Sequence, residues 1–258
     1  MDHQAVLAQF DRETREQARA DSPGARVERV GGVVRQVGAA DDWNGILWSD
    51  LDGTTAAAAI AAQVEYFTAL GREFEWKLYA HDRPGDLAGR LLSAGFTSGP
   101  TEALMVADIG ELRPAGEPPG GVRLLPVTDA AGVDLVVDVH EQAFGTDGGR
   151  LRQRLLNQLS GAPDTFSAVV AMAGERPVSA ARMELVPGTP FAGLWGGGTV
   201  RDWRGRGVYR ALIAHRARIA AAHGCRFLQV DASDESRPIL RRLGFASLST
   251  TTPYLYEP

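Results

Sequence analysis

The stretch from Gly198 to Ile213, GTVRDWRGRGVYRALI, limits what this chain can fold into more than any other part of it. An apolar run from Phe191 to Val200 contains Gly196-Gly197-Gly198; a short charged loop with Gly205 and Gly207 follows, and a helix-forming segment begins at Val208. That order reads as strand, tight turn, helix. The first N–H groups of a helix have no partners within it and lie at the positive end of its dipole. A glycine loop feeding a helix can therefore wrap a phosphate without Cβ atoms in the way. Arg204 and Arg206 add positive charge beside that nest. Two phosphate loops are excluded by their spelling: a Walker loop needs Lys-Ser/Thr where Val208-Tyr209 stands, and a dinucleotide fingerprint needs a small residue at Arg210. An ordinary glycine-rich connection and an RNA-binding Arg-Gly box remain as other readings of the same letters.

The chain has 258 residues, room for two domains of ordinary size. The most alanine-rich run, Ala56 to Ala62, is followed at once by Gln63 and Glu65, so no membrane span is expected. Met1 to Asp21 is polar and lacks an apolar signal core, which predicts a cytoplasmic protein. The single cysteine, Cys225, excludes an internal disulfide, and no cluster has metal-ligand spacing, so no metal is expected. The formal net charge is −5, which argues against nucleic acid as the partner.

Taken in order, the patterns predict a helix over Asp2 to Arg19, strands over Arg26 to Val37 and Gly45 to Leu51, and a long helix over Thr54 to Leu70 capped by Thr54 or Thr55. A strand over Phe74 to Ala80, a short helix over Asp86 to Ala94 closed by Gly95, and a strand over Glu102 to Ala107 complete the first half. The Pro- and Gly-rich residues 111–121 read as a linker between a domain at 1–110 and another at 122–258. The second half reads as strand Val122 to Val127, helix Ala130 to Phe144, helix Gly149 to Ser160 and a three-strand meander ending at Val200. After the glycine loop come helix Val208 to Ala222, strand Arg226 to Ala232, helix Arg237 to Leu243 and a last extended segment, Ser247 to Tyr256. The halves share an ending: Phe74 to Tyr79, a helix, then Gly95-Phe96 parallels Arg226 to Val230, a helix, then Gly244-Phe245. This repeat points to a duplication. The first half has Asp50-Leu51-Asp52-Gly53-Thr54-Thr55 where the second has its loop, and two carboxylates there would repel a pyrophosphate.

The loop resembles the acetyl-CoA loop of the GNAT acyltransferase superfamily, written Arg/Gln-x-x-Gly-x-Gly/Ala. Arg204 and Gly207 match it, and Tyr209 takes the place of the last small residue, crowding the first turn of the helix. A second family pattern, Asn-x-x-Ala-x-x-Leu-Tyr-x-x-x-Gly-Phe, is met in spacing by Ser233, Ser236, Ile239, Leu240, Gly244 and Phe245. The resemblance implies an α/β fold of two tandem GNAT-like domains, each a mixed, mostly antiparallel sheet flanked by helices, the first a degenerate copy without the CoA loop. It implies acetyl-CoA as acyl donor, held by Arg204, Gly205, Arg206, Gly207, Val208 and Tyr209, with Ser233 and Ser236 nearby. The strand before the loop is bulged in this family, and Thr199 and Val200 would pair with pantetheine.

The activity so implied is an N-acetyltransferase that moves an acetyl group to an amine of a small molecule or peptide by direct attack in a ternary complex. Asp231 is the first choice for the base, with Glu184 and Glu141 as the other carboxylates. Leu240 stands where family members carry a tyrosine that protonates the thiolate, so Tyr254 or Tyr256 substitutes, or water does, or catalysis has been lost. His140, His215 and His223 read as surface histidines. A non-catalytic acyl-CoA-binding or partner-binding module is the alternative, and a homodimer is left open.

Overall fold

The computed structural model describes every residue except Pro23, Ala40, Asp41, Pro114 and Ala115, so part of the expected linker lies outside the described residues. In chain order the elements are α1 (His3–Phe10), β1 (Arg26–Val30), β2 (Val33–Val37), β3 (Gly45–Ser49), α2 (Ala56–Ala69), β4 (Phe74–Tyr79), α3 (Leu87–Ser93), β5 (Thr97–Ser98) and β6 (Glu102–Asp108). The chain continues with β7 (Val122–Pro126), α4 (Ala130–Phe144), α5 (Gly149–Gly161), β8 (Phe166–Ala173), β9 (Arg176–Leu185) and β10 (Phe191–Thr199). It ends with α6 (Val208–Ala222), β11 (Phe227–Ala232), α7 (Arg237–Leu243) and β12 (Ala246–Tyr256). Among the described residues no helix is long and apolar enough to cross a membrane. The expected single strand over Arg26 to Val37 is a hairpin instead. Gly31 and Gly32, with φ of 58° and 81°, supply the two left-handed positions of a two-residue turn, and Val30 pairs with Val33 across it.

Two compact units result, and they are not the two halves of the chain. The first comprises Met1–Leu104, Asp231–Asp234 and Ser247–Pro258; the second comprises Met105–Val230 and Glu235–Ala246. A sequence boundary at 111–121 gives all of 122–258 to one domain, whereas β12 pairs antiparallel with β4 from Thr251↔Tyr79 to Tyr256↔Phe74. The side chains give the reason. Tyr254 is buried in one apolar cluster with Phe67, Phe74, Trp76 and Leu91 of the first unit, so the last strand follows that core.

In the first unit β1, β2, β3, β4 and β12 lie side by side, with only β3 and β4 parallel. In the second the order is β6, β11, β10, β9, β8, β7, with β10 and β11 parallel. Strand alternation sends Ala168, Val170 and Ala180 into a cluster with Val133, Val136 and Leu155 of α4 and α5. Val169, Ala171 and Ala181 point the other way, to Val208 and Leu212 of α6. Each unit thus has an antiparallel pair leading through a helix to a parallel strand. The parallel pairing is short both times, Gly45↔Glu75 to Ile46↔Trp76 and Phe191↔Phe227 to Gly193↔Gln229. The duplication read from the Gly-Phe endings is therefore present in the topology.

The first unit also buries charge. The Arg15 guanidinium, 3% exposed, donates to Asp11 Oδ1 at 2.7 Å, to both Asp82 oxygens at 2.7 and 2.9 Å and to Leu47 O at 3.1 Å, with the Tyr79 ring 4.0 Å away. His81 bridges Asp11 Oδ2 and Ser249 Oγ, each at 2.8 Å. Burial pushes the Asp11 carboxyl up, but the His81 hydrogen bond and the Arg15 charge outweigh it and hold the pKa below the usual 3.8. Arg15→Ala strands two carboxylates, and its expected cost is about 3 kcal/mol in a urea titration. Because the Asp11 pKa is lower folded than unfolded, its contribution is whole above about pH 4 and is lost as pH falls through the folded value. The variant should accordingly show a flatter acid limb than the parent protein.

Candidate functional site

The site begins where two parallel strands part. Pairing between β10 and β11 stops at Gly193↔Gln229, while the other edge of β10 stays on β9 up to Thr199↔Ser179, with a bulge between Trp195 and Gly198. Gly196 has φ of +54°, a left-handed position that the bulge requires and that favours glycine. Gly197 and Gly198 serve packing: a Cβ at Gly197 would lie 2.9 Å from Tyr209 Cε2, and one at Gly198 would lie 2.8 Å from Phe144 Cε2. The tyrosine expected to crowd the loop therefore lies against β10, in space that Gly197 leaves open. Burial pushes its phenol up.

The edge of β10 that faces away from β9 is where an added strand-like chain could pair. Val200 N–H donates to Val178 O at 3.0 Å, so this expected pantetheine partner has its donor already engaged with β9. Alternation turns the Thr199 N–H to the opposite edge. The Ser179 hydroxyl locks this end by donating to Gly198 O at 2.6 Å and meeting Thr199 Oγ1 at 2.8 Å.

A turn of 3-10 helix, Arg201–Trp203, follows, then extended Arg204 and the left-handed glycines Gly205 and Gly207, with φ of +75° and +86°. Gly207 is the residue that starts α6, and it offers no side chain to the first N–H groups. The first helical bond runs from Ala211 N to Gly207 O at 3.1 Å, so Val208, Tyr209 and Arg210 present their N–H groups to the loop. Arg204 is less mobile than its sequence position suggests: its Nε donates to Thr199 O at 3.1 Å and a terminal nitrogen to Ala143 O at 3.3 Å, with Glu235 at 3.8 Å. It ties the loop to β10 and to the end of α4. Arg206, exposed, stacks over Trp203 at 4.8 Å.

The corresponding helix of the first unit is closed. Asp52 Oδ1 accepts from Thr54 N and Thr55 N, both at 2.8 Å, and from the two threonine hydroxyls, and Asp52 N donates to Thr55 Oγ1 at 2.9 Å. The cap expected at Thr54 or Thr55 is thus made by Asp52, whose carboxyl these bonds hold far below its ordinary pKa. A carboxylate occupies the nest that Gly207 leaves open.

Residues 133–245 match the acetyltransferase (GNAT) family. The second unit carries a GNAT domain. Both units share the fold of solved structures that cover nearly the whole chain. A GCN5-related N-acetyltransferase from Kribbella flavida is 20% identical, with a TM-score of 0.70 over 99% of this chain and 94% of that one. A functionally unknown conserved protein from Staphylococcus epidermidis ATCC 12228 is 14% identical, with a TM-score of 0.68 over 95% and 97%. A tandem GNAT protein from the clavulanic acid biosynthesis pathway is 13% identical, with a TM-score of 0.65 over 99% and 94%. No curated protein matches the sequence. The fold is one that supports acyl transfer in general.

The GNAT domain brings together Thr199, Arg204, Gly205, Arg206, Gly207, Val208 and Tyr209, and it places Glu184 on β9 opposite Gly193, where the parting begins. Glu184 accepts from Gln158 Nε2 at 3.0 Å and lies 3.8 Å from Arg154, while Glu141, on α4, accepts from Gly148 N at 3.1 Å. Ser236 precedes α7 in the same domain, and Leu240 is fully buried. Asp231, Ser233 and Tyr256 belong to the first unit, where the Tyr256 ring lies 5.2 Å from Phe96 and 5.8 Å from Phe74. Among the described residues no group of His, Cys, Asp and Glu could hold a metal.

Two arginines of the GNAT domain escaped the sequence reading. Arg216, 1% exposed, donates to Leu212 O at 3.2 Å and Arg182 O at 2.9 Å, and one of its terminal nitrogens has no acceptor. Its signal was a charge at helical spacing between Leu212 and Ala220. Arg182 lies on the face of β9 that carries Ala180 and Glu184, a charge between a buried alanine and a carboxylate. The Asp231 carboxylate is 3% exposed and makes a close ion pair with Lys77, the one lysine in the chain. Burial would push the Lys77 ammonium down, but the Asp231 charge holds it above its usual value. Asp231→Asn should cost about 3 kcal/mol in denaturant, and Lys77→Met added to it should recover most of that loss. Additive losses in the double variant would show that the pair contributes nothing as a pair.

Proposed function

We propose that this protein is an acetyl-CoA-dependent N-acetyltransferase acting in the cytoplasm on an amine of a small molecule or peptide. The observation that carries the reading is the uncapped start of α6. It lies behind two left-handed glycines and directly after a strand whose edge is free beyond Gly193. A Cβ at Gly205 would meet nothing within 4 Å, so the loop is open on its outer side. Those features suit a pyrophosphate and the chain attached to it.

The N–H groups of Val208, Tyr209 and Arg210, with Arg206, would hold the pyrophosphate, and Thr199 on the free edge would pair with the pantetheine arm. Bound, acetyl-CoA supplies an activated acyl carbon and a thiolate leaving group. The protein must position the acceptor and take a proton from it. An alkylammonium with a pKa near 10.4 is neutral only about once in 10³ at pH 7, so removing that proton is worth about 4 kcal/mol. Glu184 suits the role of base: it stands at the parting of β10 and β11, its position held by Gln158. Asp231 suits it less, because its charge is already committed to Lys77. Leu240 has no proton to give, and a CoA thiolate leaves near neutral pH without one. In the first unit Asp52 repels a pyrophosphate from the equivalent helix, so one donor per chain is expected.

Calorimetry with acetyl-CoA should give one site per chain with micromolar affinity. Gly207→Glu sets a side chain at φ of +86° and a negative charge in the nest, and should weaken binding by about 100-fold or more. Unchanged affinity in a folded variant would sink the assignment of the loop.

A further inference from the structure

Within the second unit, the guanidiniums of Arg182 and Arg216 have no paired carboxylate among the described residues. Among the described residues the half-buried side chain of Arg182 makes no hydrogen bond and no ion pair. Burial and the positive charge of Arg154 pull its pKa down to about 10, and Glu184 only partly offsets them. It lies against the bulge of β10, where a Cβ on Gly196 would come within 2.9 Å of Arg182 Nε and 3.1 Å of a terminal nitrogen. The glycine of the bulge therefore makes room for this guanidinium at the point where β10 turns away from β11. Arg216 fixes the backbone there by donating to Arg182 O at 2.9 Å. The same face carries Glu184, two residues along the strand and about 7 Å away by strand geometry. Gln158, 3% exposed, spends its amide nitrogen on Glu184 and leaves its own oxygen buried without a donor. His140, on α4, is held neutral to lower pH by burial and by the Arg182 charge.

A half-buried guanidinium without a hydrogen-bond partner keeps its fork of N–H donors available, and that fork matches the two oxygens of a carboxylate. We propose that Arg182 binds a carboxylate on the reacting ligand, so that the strand face presents a cation for a carboxylate and Glu184 for an ammonium, side by side. The ligand class is an amine that also carries a carboxylate a few bonds away, of the size of a β- or γ-amino acid. The same chemistry could come instead from an acyl group ending in a carboxylate. The inference rests on the acyl-transfer reading above, but its test does not need turnover.

The test uses the full chain and ligands in matched pairs. For the acceptor, 3-aminopropanoate is compared with propan-1-amine and 4-aminobutanoate with butan-1-amine, with binding read by saturation-transfer NMR. For the donor, succinyl-CoA is compared with butyryl-CoA by calorimetry. The parent protein should favour the carboxylate member of one arm by about 10-fold or more, and Arg182→Met should reduce that ratio to within about twofold. Preference in the acceptor arm assigns the carboxylate to the amine, and preference in the donor arm alone assigns it to the acyl group. Arg182→Met should keep the parent affinity for acetyl-CoA and melt at or above the parent temperature, since the guanidinium has no partner to lose; Arg182→Lys should retain part of the preference. No preference in either arm, a preference that survives in Arg182→Met, or a lowered melting point in that variant overturns the proposal. Loss of acetyl-CoA binding by the parent protein itself would instead count against the acyl-transfer reading, whichever way the pairs come out.

Discussion

The site depends on β10 leaving β11 after Gly193. Parallel strands pair most economically along their whole length, and an early end to the ladder leaves backbone donors and acceptors on one edge without protein partners. The bulge at Gly196 forces that end, because two residues of β10 then face one interval of β9 and the strand bends. The bent strand needs support on both faces. Tyr209 supplies it from α6 and Phe144 from α4, each ring lying where a neighbouring glycine has no Cβ. A single backbone irregularity thus sets the free edge, the start of the loop and the direction of α6 behind it.

The two units apply one piece of helix electrostatics with opposite results. Four N–H groups at the start of any helix need acceptors. In the first unit Asp52 accepts from Thr54 and Thr55, and the helix is complete without a ligand. In the second, Gly207 provides no acceptor, and Arg204 is spent on holding Thr199 and Ala143 rather than on neutralising the loop. The difference between a closed cap and an open one is one carboxylate. A duplicated fold can keep its topology while one copy gives up the ligand in this way, since capping a helix from within satisfies the same groups that a phosphate would.

Much of this was legible in the sequence. Period and punctuation marked α4, α6 and α7 at their observed ends, and the Gly-Phe endings revealed the repeat that the short parallel ladders confirm. The Gly31-Gly32 hairpin was missed because β1 and β2 read as one extended strand, although two adjacent glycines between strand-like runs are a hairpin signal in their own right. The exchange of β12 into the first unit could not be read. Edge pairing depends on which strand lies nearest in space, and the apolar pattern of Ser247 to Tyr256 fits any open edge. The same limit hid the grouping of Asp231 and Tyr256 with the first unit, since their positions follow the ends of β11 and β12.

Buried charge separates the two units further. Arg15 is enclosed by carboxylates, a carbonyl and a ring, and every part of its guanidinium that leaves water finds an acceptor. Such a network specifies a packing arrangement and has no need of a ligand. Arg216 is enclosed and Arg182 half-buried, neither with a paired carboxylate, and the pKa of each is pulled down to about 10, chiefly by loss of water around it. A helix such as α6 could bury a leucine at position 216, and β9 could bury an alanine at 182 as it does at 180. Apolar residues there would suit folding alone. The presence of the two arginines beside a strand opened by its own bulge is what the proposed carboxylate at Arg182 would account for.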